Sequence, residues 1–522
     1  MVAMPYIAEQ WQVSASKKQL NKKYEKKMKN NYLSKPASGC FTKTILSVLL
    51  ATIPLLVLPG LAQAQQSASG PRPAAATTRP APKLVTDRHS AARAAGYRAL
   101  HLCTGTFTSG LSEEMVNKTM SGRASSGMET IIDQENKFVS VKFADDMEPR
   151  IAAWRPALGC TQLPIGATTA MIEHLPRMPK SVKIPNYDDK PWPMGDANAA
   201  ASLNAEKTEA ISEIFNEAFK DQAGAYQGNT WGVAVIKDGK IIAERYADGW
   251  GMHTSSRTNS MCKSISVSLV GVGVKKGLLD VDKKAPLKAW QRSSDPRGEI
   301  TLNNMLQMAS GLYTEAGRNP QGEIYGSGAP TSEVSMPNVI TSRPGERFVY
   351  AGSDTILSTR VLREAVDNDK KWVSYPHENF LWKVGMTRTV LETDWLGDFI
   401  TSGQCWSTVR DFGRFGMLYL NDGVWDGEQI LPEGWSDYVS TLAAAQPGSY
   451  GSPGRPGYGA QFWIYDGLEG LPEKAYSPGG ALGQYAMIIP EENLVIVRRG
   501  LDIGGGFNIA KFSGDIYKVI AE

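Results

Sequence analysis

Residues 260–279 read SMCKSISVSLVGVGVKKGLL. Small and apolar residues dominate this run, which predicts a largely buried helix over residues 260–276 with Gly277 as its C-terminal cap. Ser260 and Lys263 lie three residues apart, so they share one face of that helix and their polar ends can meet. A lysine near the start of a buried helix is partly desolvated, and desolvation favours its neutral form.

The Ser260–Lys263 pair has the chemistry of an activated nucleophile. A serine hydroxyl becomes a good nucleophile when a neighbouring base takes its proton, and a neutral lysine is such a base. The alternative is an N-cap serine beside a solvated lysine, because bare S-x-x-K matches are frequent; Ser14 and Lys17 form another. The chain contains no G-x-S-x-G segment, so an α/β-hydrolase arrangement is not indicated.

Two further segments carry candidate chemistry. Tyr350, in FVYAGSD (residues 348–354), ends an extended run before a predicted helix, where its phenol can exchange protons with the serine or a leaving group. The segment SPGGALGQ (residues 477–484) precedes a strand, and its glycines allow close backbone approach to a ligand, with strand N–H groups available to an oxyanion. The alternatives are a core tyrosine and an ordinary glycine-rich turn.

The predicted fold class is α+β. TWGVAVIKDGKIIAERYA (residues 230–247) predicts a hairpin that turns at Asp238-Gly239. Near the C-terminus, residues 458–466 and 484–500 predict antiparallel strands. One antiparallel sheet is therefore built from both ends of a domain over residues 201–522, flanked by helices, and residues 290–445 form a mostly helical insertion.

The N-terminal residues predict export. A lysine-rich stretch, an apolar run and Ala62-Gln63-Ala64 make residues 1–64 a signal peptide with a basic leader, cleaved after Ala64. The mature protein is then periplasmic or secreted, without a stable membrane span. Residues 65–83 are Pro/Ala-rich and predict a disordered linker, and residues 84–200 form an N-terminal extension of unknown role.

Charge and cysteine content narrow the possible partners. The net charge is +3, but the leader holds the excess lysines and the remainder is mildly acidic, so no nucleic-acid partner is expected. Cys103 and Cys160 both lie in the extension, and export predicts that they form a disulfide. Cys262 is expected to be a small buried residue of the helix. Cysteine and histidine spacings predict no metal site, and no cofactor is implied.

Together these segments resemble the serine β-lactamase and penicillin-binding-protein superfamily, in its class C-related branch, and most closely the 6-aminohexanoate-dimer hydrolase and esterase group. The resemblance extends from about Asn204 to the C-terminus. It is carried by S-M-x-K-S at the helix start, Tyr350 ahead of a helix, and residues 305–312, 407–435 and 484–500.

The resemblance implies a class C β-lactamase-like fold and assigns roles to several residues. Ser260 would be the acylated nucleophile, Lys263 its proton acceptor and Tyr350 a proton shuttle. The backbone N–H groups of Ser260 and of a residue near Gln484, with Gly483 beside it, would form the oxyanion hole. Water would then hydrolyse the acyl-enzyme.

Two departures from the family pattern bear on the substrate. The Y-x-N/S motif is Tyr350-Ala351-Gly352 here, so the substrate-binding position 352 has no side chain. The K-T-G motif is Ala481-Leu482-Gly483, without the cation that grips a carboxylate. The prediction is therefore an exported serine hydrolase of small esters or amides, of unspecified oligomeric state. The alternatives are a weak β-lactamase or D-Ala-D-Ala peptidase, and a catalytically silent penicillin-recognition-like binding module.

Overall fold

The computed structural model describes most of the chain, and of residues 83–87 only the backbone; the described ranges are 83–120, 127–284, 286–314, 320–503 and 506–522. The predicted signal peptide and nearly all of the predicted linker lie outside these ranges. Within the described residues, no helix has both the length and the apolar character needed to cross a membrane.

The described part is mixed in secondary structure, and this confirms the α+β prediction. The α-helices are α1 (Lys83–Phe107), α2 (Glu113–Thr119), α3 (Ala205–Ala218), α4 (Cys262–Lys275), α5 (Leu302–Leu306), α6 (Gln321–Gly326), α7 (Thr331–Ser335), α8 (Gly352–Val366), α9 (Asp369–Trp372), α10 (Val409–Leu420), α11 (Trp435–Ser440) and α12 (Ile509–Ala521). The strands of the extension are β1 (Thr130–Asp133), β2 (Phe138–Val141), β3 (Arg150–Arg155) and β4 (Gly159–Gln162).

The central sheet is antiparallel and joins both ends of the hydrolase-like region, in the order β12-β13-β14-β16-β17-β5-β6 with β15 paired to β16. Its strands are β5 (Thr230–Lys237), β6 (Lys240–Tyr246), β12 (Gly457–Tyr458), β13 (Trp463–Ile464), β14 (Tyr476–Ser477), β15 (Gly479–Gly480), β16 (Gln484–Ile489) and β17 (Leu494–Gly500). The predicted hairpin turns at Asp238 and Gly239, whose φ angles of +51° and +75° suit a tight turn between twisted strands.

Helices cover both faces of this sheet. Successive side chains of a strand point to opposite faces. Ala234 and Ile236 of β5 accordingly join the apolar core that contains α4 and α10, whereas Val233 and Val235 join a second core with α3 and α12. Burial on both faces explains why the strand has a nearly continuous apolar sequence.

Most of the regular secondary structure between the hairpin and the late strands is helical. It also contains a small sheet of order β7-β9-β8, formed by β7 (Ser256–Arg257), β8 (Val390–Leu391) and β9 (Cys405–Ser407), and a hairpin of β10 (Val424–Trp425) and β11 (Glu428–Gln429). A 3₁₀ turn over Asn259–Met261 connects β7 to α4. All residues from Cys262 to Gly273 of α4 are buried, so this helix runs through the apolar core.

Candidate active site

Ser260 and Lys263 are brought together where β7 leads into α4. Ser260 is half-buried in the 3₁₀ turn, whereas Lys263 is one turn further on and 3% exposed. The Lys263 Nζ donates to Ser260 Oγ at 3.3 Å and to the backbone carbonyl of Ser402 at 2.6 Å. The amine thus has one fixed acceptor in the protein and the hydroxyl within reach.

The environment of Lys263 suits a base. Burial lowers the pKa of Lys263 from its ordinary value of 10.5 to about 7. No carboxylate forms a salt bridge with Lys263 among the residues that the structure describes, so no negative charge there stabilises the charged form of the amine. A substantial fraction of the lysine is therefore neutral near pH 7, as proton abstraction from a serine requires.

Tyr350 lies against the same pair. The Lys263 Nζ is 5.0 Å from the centroid of the Tyr350 ring. Burial raises the pKa of Tyr350 above its ordinary range, while hydrogen bonds with Ser260 and Trp463 counteract that shift. The phenol is therefore protonated at neutral pH and can pass a proton to a group that leaves the acyl carbon of a substrate.

Aromatic rings hold this phenol in place. The ring centroids of Trp463 and Tyr458 lie 5.6 and 5.9 Å from that of Tyr350, and Phe348 lies 6.4 Å away. Such packing restricts the side chain of Tyr350 to few rotamers.

The glycine-rich third segment contacts the residues that flank Ser260 through Gly480 and Ala481. A Cβ on Gly480 would lie 2.3 Å from the Thr258 carbonyl oxygen and 3.2 Å from the Met261 backbone nitrogen, so only glycine permits this approach. Asn259 Nδ2 donates to the carbonyl of Ala481 at 2.8 Å, and Ala481 is exposed.

The predicted oxyanion residues Gly483 and Gln484 are displaced from this contact. The carbonyl of Gly483 accepts from Arg498 at 2.8 Å, and Gln484 is buried and paired in register with Gly480. The chain turns at Leu482, with a φ of +63°, so the exposed part of the loop precedes Gly483 and Ala481 lies beside the residues that flank Ser260.

A buried arginine, Arg499, holds the glycine-rich segment in place through hydrogen bonds on the side away from solvent. Arg499 is 1% exposed, and its guanidinium donates to Gln484 Oε1 at 2.7 Å. It also donates to the carbonyls of Ser407 (2.9 Å), Ser256 (2.9 Å) and Arg257 (3.0 Å). The Arg499 side chain therefore joins β16 to β7, the strand that precedes Ser260. The sequence analysis missed it, since an arginine in an apolar strand has no motif.

At Gly352, helix α6 fills the volume of the missing side chain. A Cβ on Gly352 would lie 2.4 Å from Gln321 Oε1, 3.0 Å from the Tyr325 hydroxyl and 3.3 Å from Ser402 Cβ. The Tyr325 hydroxyl donates to Ser402 Oγ at 2.7 Å, and burial raises the pKa of Tyr325. No sequence signal pointed to Gln321, Tyr325 or Ser402, because their relation to Gly352 is purely spatial.

Two cysteine pairs lie at disulfide distance. Cys103 of α1 and Cys160 of β4, the pair predicted from sequence, have Cα atoms 6.1 Å apart. Cys262 and Cys405 form the second disulfide, with Cα atoms 5.7 Å apart. Cys262 is buried in the helix as expected, and its pairing, which was not predicted, joins α4 to β9.

One group of potential metal ligands occurs among the described residues, away from the serine: Asp188, Asp196 and His253, with ligand atoms within 4.8 Å of one another. Arg414 bonds Asp196 at 2.7 Å, and Arg388 bonds Asp188 at 2.6 Å. Since arginines already compensate both carboxylates, the group has the character of an ion-pair network rather than that of a cation site.

Comparison with known proteins places this geometry in context. The family model described as Beta-lactamase matches residues 215–498. An uncharacterized protein of Alkalihalophilus pseudofirmus is 22% identical over 314 residues, which are 53% of this chain and 85% of that protein. A solved structure assigned as a 6-aminohexanoate-dimer hydrolase from Bacillus anthracis has 19% identity and a TM-score of 0.47, covering 67% of this chain and 88% of its own. A solved structure assigned as a β-lactamase from Bacteroides dorei has 19% identity and a TM-score of 0.48, and the match covers 61% of this chain and 99% of that structure's chain.

Proposed function

Because this chain belongs to the Beta-lactamase family, we propose that it is a serine hydrolase that cleaves ester or amide bonds through an acyl-serine intermediate. The observation that carries the proposal is a buried lysine whose amine lies 3.3 Å from a half-buried serine hydroxyl. A buried amine without a carboxylate partner among the described residues is a base whose pKa lies near neutral pH.

The proposed acylation is a proton transfer coupled to addition. Neutral Lys263 takes the proton of Ser260, and the Ser260 Oγ forms a bond to the carbonyl carbon of the substrate. The carbonyl electron pair moves to the oxygen, which the backbone N–H groups of Ser260 and Ala481 stabilise. As the electron pair returns, the bond to the leaving group breaks, and Tyr350 passes it a proton that the lysine replaces.

Deacylation repeats these steps with water as the nucleophile. A water molecule gives a proton to the amine–phenol pair and attacks the acyl carbon, and the Ser260 oxygen leaves and regains a proton. The result is a free acid and the starting enzyme, with no redox change and no group retained. Microscopic reversibility assigns the same residues to both halves of the cycle.

No residue of the segment SPGGALGQ (residues 477–484) carries a positive charge, which supports small esters or amides over substrates that are bound through a carboxylate. The two disulfides support the predicted export to the periplasm or the medium, where such bonds persist.

The test is active-site labelling combined with a substrate panel. The mature protein and its Ser260→Ala variant are treated with a fluorophosphonate probe and assayed on p-nitrophenyl esters, aminoacyl anilides and nitrocefin. We expect a label on the peptide that contains Ser260, turnover of esters or anilides, and loss of both in the variant. Nitrocefin turnover above ester turnover would instead favour a β-lactamase. Folded protein without label or turnover would favour the silent binding module.

A further inference from the structure

The first helix of the N-terminal extension contacts the strand that leads to Ser260. Tyr97 and His101 lie one turn apart on α1, and their ring centroids are 3.9 Å apart. Arg257 Nη1 donates to the Tyr97 hydroxyl at 2.8 Å and lies 2.9 Å from His101 Nε2. Arg257 ends β7, three residues before Ser260. The extension and the segment of the nucleophile therefore meet at this guanidinium.

The hydrogen bonds of His101 define its protonation state. An arginine only donates, so the His101 Nε2 that faces Arg257 must be an unprotonated acceptor. The ring proton then lies on Nδ1, which is 2.8 Å from the backbone carbonyl of Tyr97. His101 is 4% exposed, and burial together with the charge of Arg257 holds its pKa well below the ordinary value of 6.5. His101 is thus a neutral acceptor with a fixed orientation.

The other side of the same guanidinium holds the backbone next to Lys263. Arg257 Nε donates to the Gly403 carbonyl at 3.1 Å. The preceding carbonyl, that of Ser402, accepts from Lys263 Nζ at 2.6 Å. The two peptide groups that flank a glycine rotate with little restriction unless both are held. By holding the second peptide group, Arg257 limits the motion of the first, and with it the position of the lysine amine.

We propose that Arg257 is a positioning residue for Lys263. Tyr97 and His101 of the N-terminal extension hold the Arg257 guanidinium in place for this role. The inference rests on the proposed function and deepens it, because it makes the extension part of the active-site support. None of the three side chains exchanges a proton with the substrate. Their contribution is to keep the lysine amine in reach of Ser260 Oγ, since a displacement of about 1 Å can cost a hundredfold in rate.

Steady-state kinetics on a p-nitrophenyl ester test the proposal. Arg257→Met removes the donors at a similar side-chain length, and we expect kcat to fall by about 10- to 100-fold with KM nearly unchanged. Arg257→Lys should recover part of this loss, because an ammonium can still donate to the Gly403 carbonyl. Tyr97→Phe keeps the ring and its packing on His101 but removes the hydroxyl, and it should lower kcat by about 3- to 10-fold.

Arg98→Met is the matched control. Arg98 follows Tyr97 on α1, is also buried, and hydrogen-bonds within the extension to Thr130 and Asn117. Its replacement should lower the thermal unfolding temperature, as that of Arg257 does, because both remove hydrogen bonds of a largely buried guanidinium. Unlike Arg257→Met, it should leave kcat and KM at their wild-type values.

The possible outcomes separate the inference from the proposed function. An unchanged kcat in both Arg257→Met and Tyr97→Phe overturns the inference, and so does an equal fall in kcat for Arg98→Met. A rise in KM with unchanged kcat in Arg257→Met also overturns it, since that result assigns Arg257 to substrate binding. If Arg257→Met does not fold, kcat of Tyr97→Phe decides. Wild-type protein without Ser260-dependent turnover overturns the proposed function itself, and the inference with it.

Discussion

Replacement of Lys263 by methionine separates the catalytic value of this amine from its effect on stability. Lys263→Met keeps the length and packing of the side chain but removes the charge, so acylation should be lost. The free energy of unfolding at pH 7 should rise even though acylation is lost. The side chain is 3% exposed and its pKa falls from 10.5 to about 7 on folding, which means that the folded protein disfavours the charged form.

The magnitude follows from the two pKa values. Below pH 7 the lysine is charged in both states, and the folded state bears the full penalty of the buried charge. At pH 7 this penalty is about 4 kcal/mol, and by pH 10 it has fallen to about 1 kcal/mol. Between these values the unfolded chain binds a proton that the folded chain does not, so wild-type stability rises with pH. The variant lacks this group, and it also leaves the Ser402 carbonyl unpaired at a cost of about 1–3 kcal/mol.

Lys263→Met should therefore be more stable than the wild type at pH 7, by about 1–3 kcal/mol, and equal to it or less stable at pH 10. The assay is urea unfolding followed by tryptophan fluorescence at one-unit steps from pH 6 to 10, with the exposed Lys275→Met on the same helix as control. Other titrating groups cancel in the difference between variant and wild type. A difference that stays constant across this range would refute a buried, largely neutral lysine.

Four further predictions concern the site and its supports. The rate of fluorophosphonate labelling should rise with pH through about 7, because the reactive form carries neutral Lys263; a flat profile between pH 5 and 9 would contradict this. Tyr350→Phe should lower turnover of p-nitrophenyl esters by about a hundred- to ten-thousand-fold, the usual range for a lost proton-transfer group. Arg499→Met should lower kcat by about a hundredfold with little change in KM, since the loop behind the oxyanion site loses its anchor, and Arg499→Lys should recover only part because an ammonium cannot span four acceptors. The double variant Cys262→Ala/Cys405→Ala should lower the free energy of unfolding by about 2–5 kcal/mol in thermal or urea denaturation, given a separation of 143 residues between the two cysteines, whereas Cys103→Ala/Cys160→Ala should leave Ser260 labelling intact.

Features that depend on local sequence could be predicted well. The helix after Ser260 and the hairpin at Asp238-Gly239 follow from periodicity, turn chemistry and residue size, which act over a few neighbouring positions. The sheet built from both ends of the domain followed from the hairpin at residues 230–247 and the predicted strands near the C-terminus. Ser260 and Lys263 meet because three residues nearly complete one helical turn.

Features that depend on contacts between distant parts of the chain could not be predicted from the sequence. Cys262 pairs with Cys405, 143 residues away, and the spacing of cysteines along the chain does not encode that approach. The register of the oxyanion segment could not be fixed from sequence because the loop turns at Leu482, a residue whose positive φ has no sequence signature. Arg499 has a role only because β16, β9 and β7 converge on it in space.

The departures from the family motifs do not oppose the proposed catalysis. A motif specifies sequence positions, whereas the chemistry of a site depends on which atoms lie there. At Gly352 the space that a side chain would occupy is filled by Gln321 and Tyr325 from α6. A silent binding module would gain nothing from a lysine buried without a salt-bridge partner, which weakens the fold by about 4 kcal/mol at pH 7. Such a penalty is characteristic of active sites, where a strained or desolvated group is maintained by the reaction it serves.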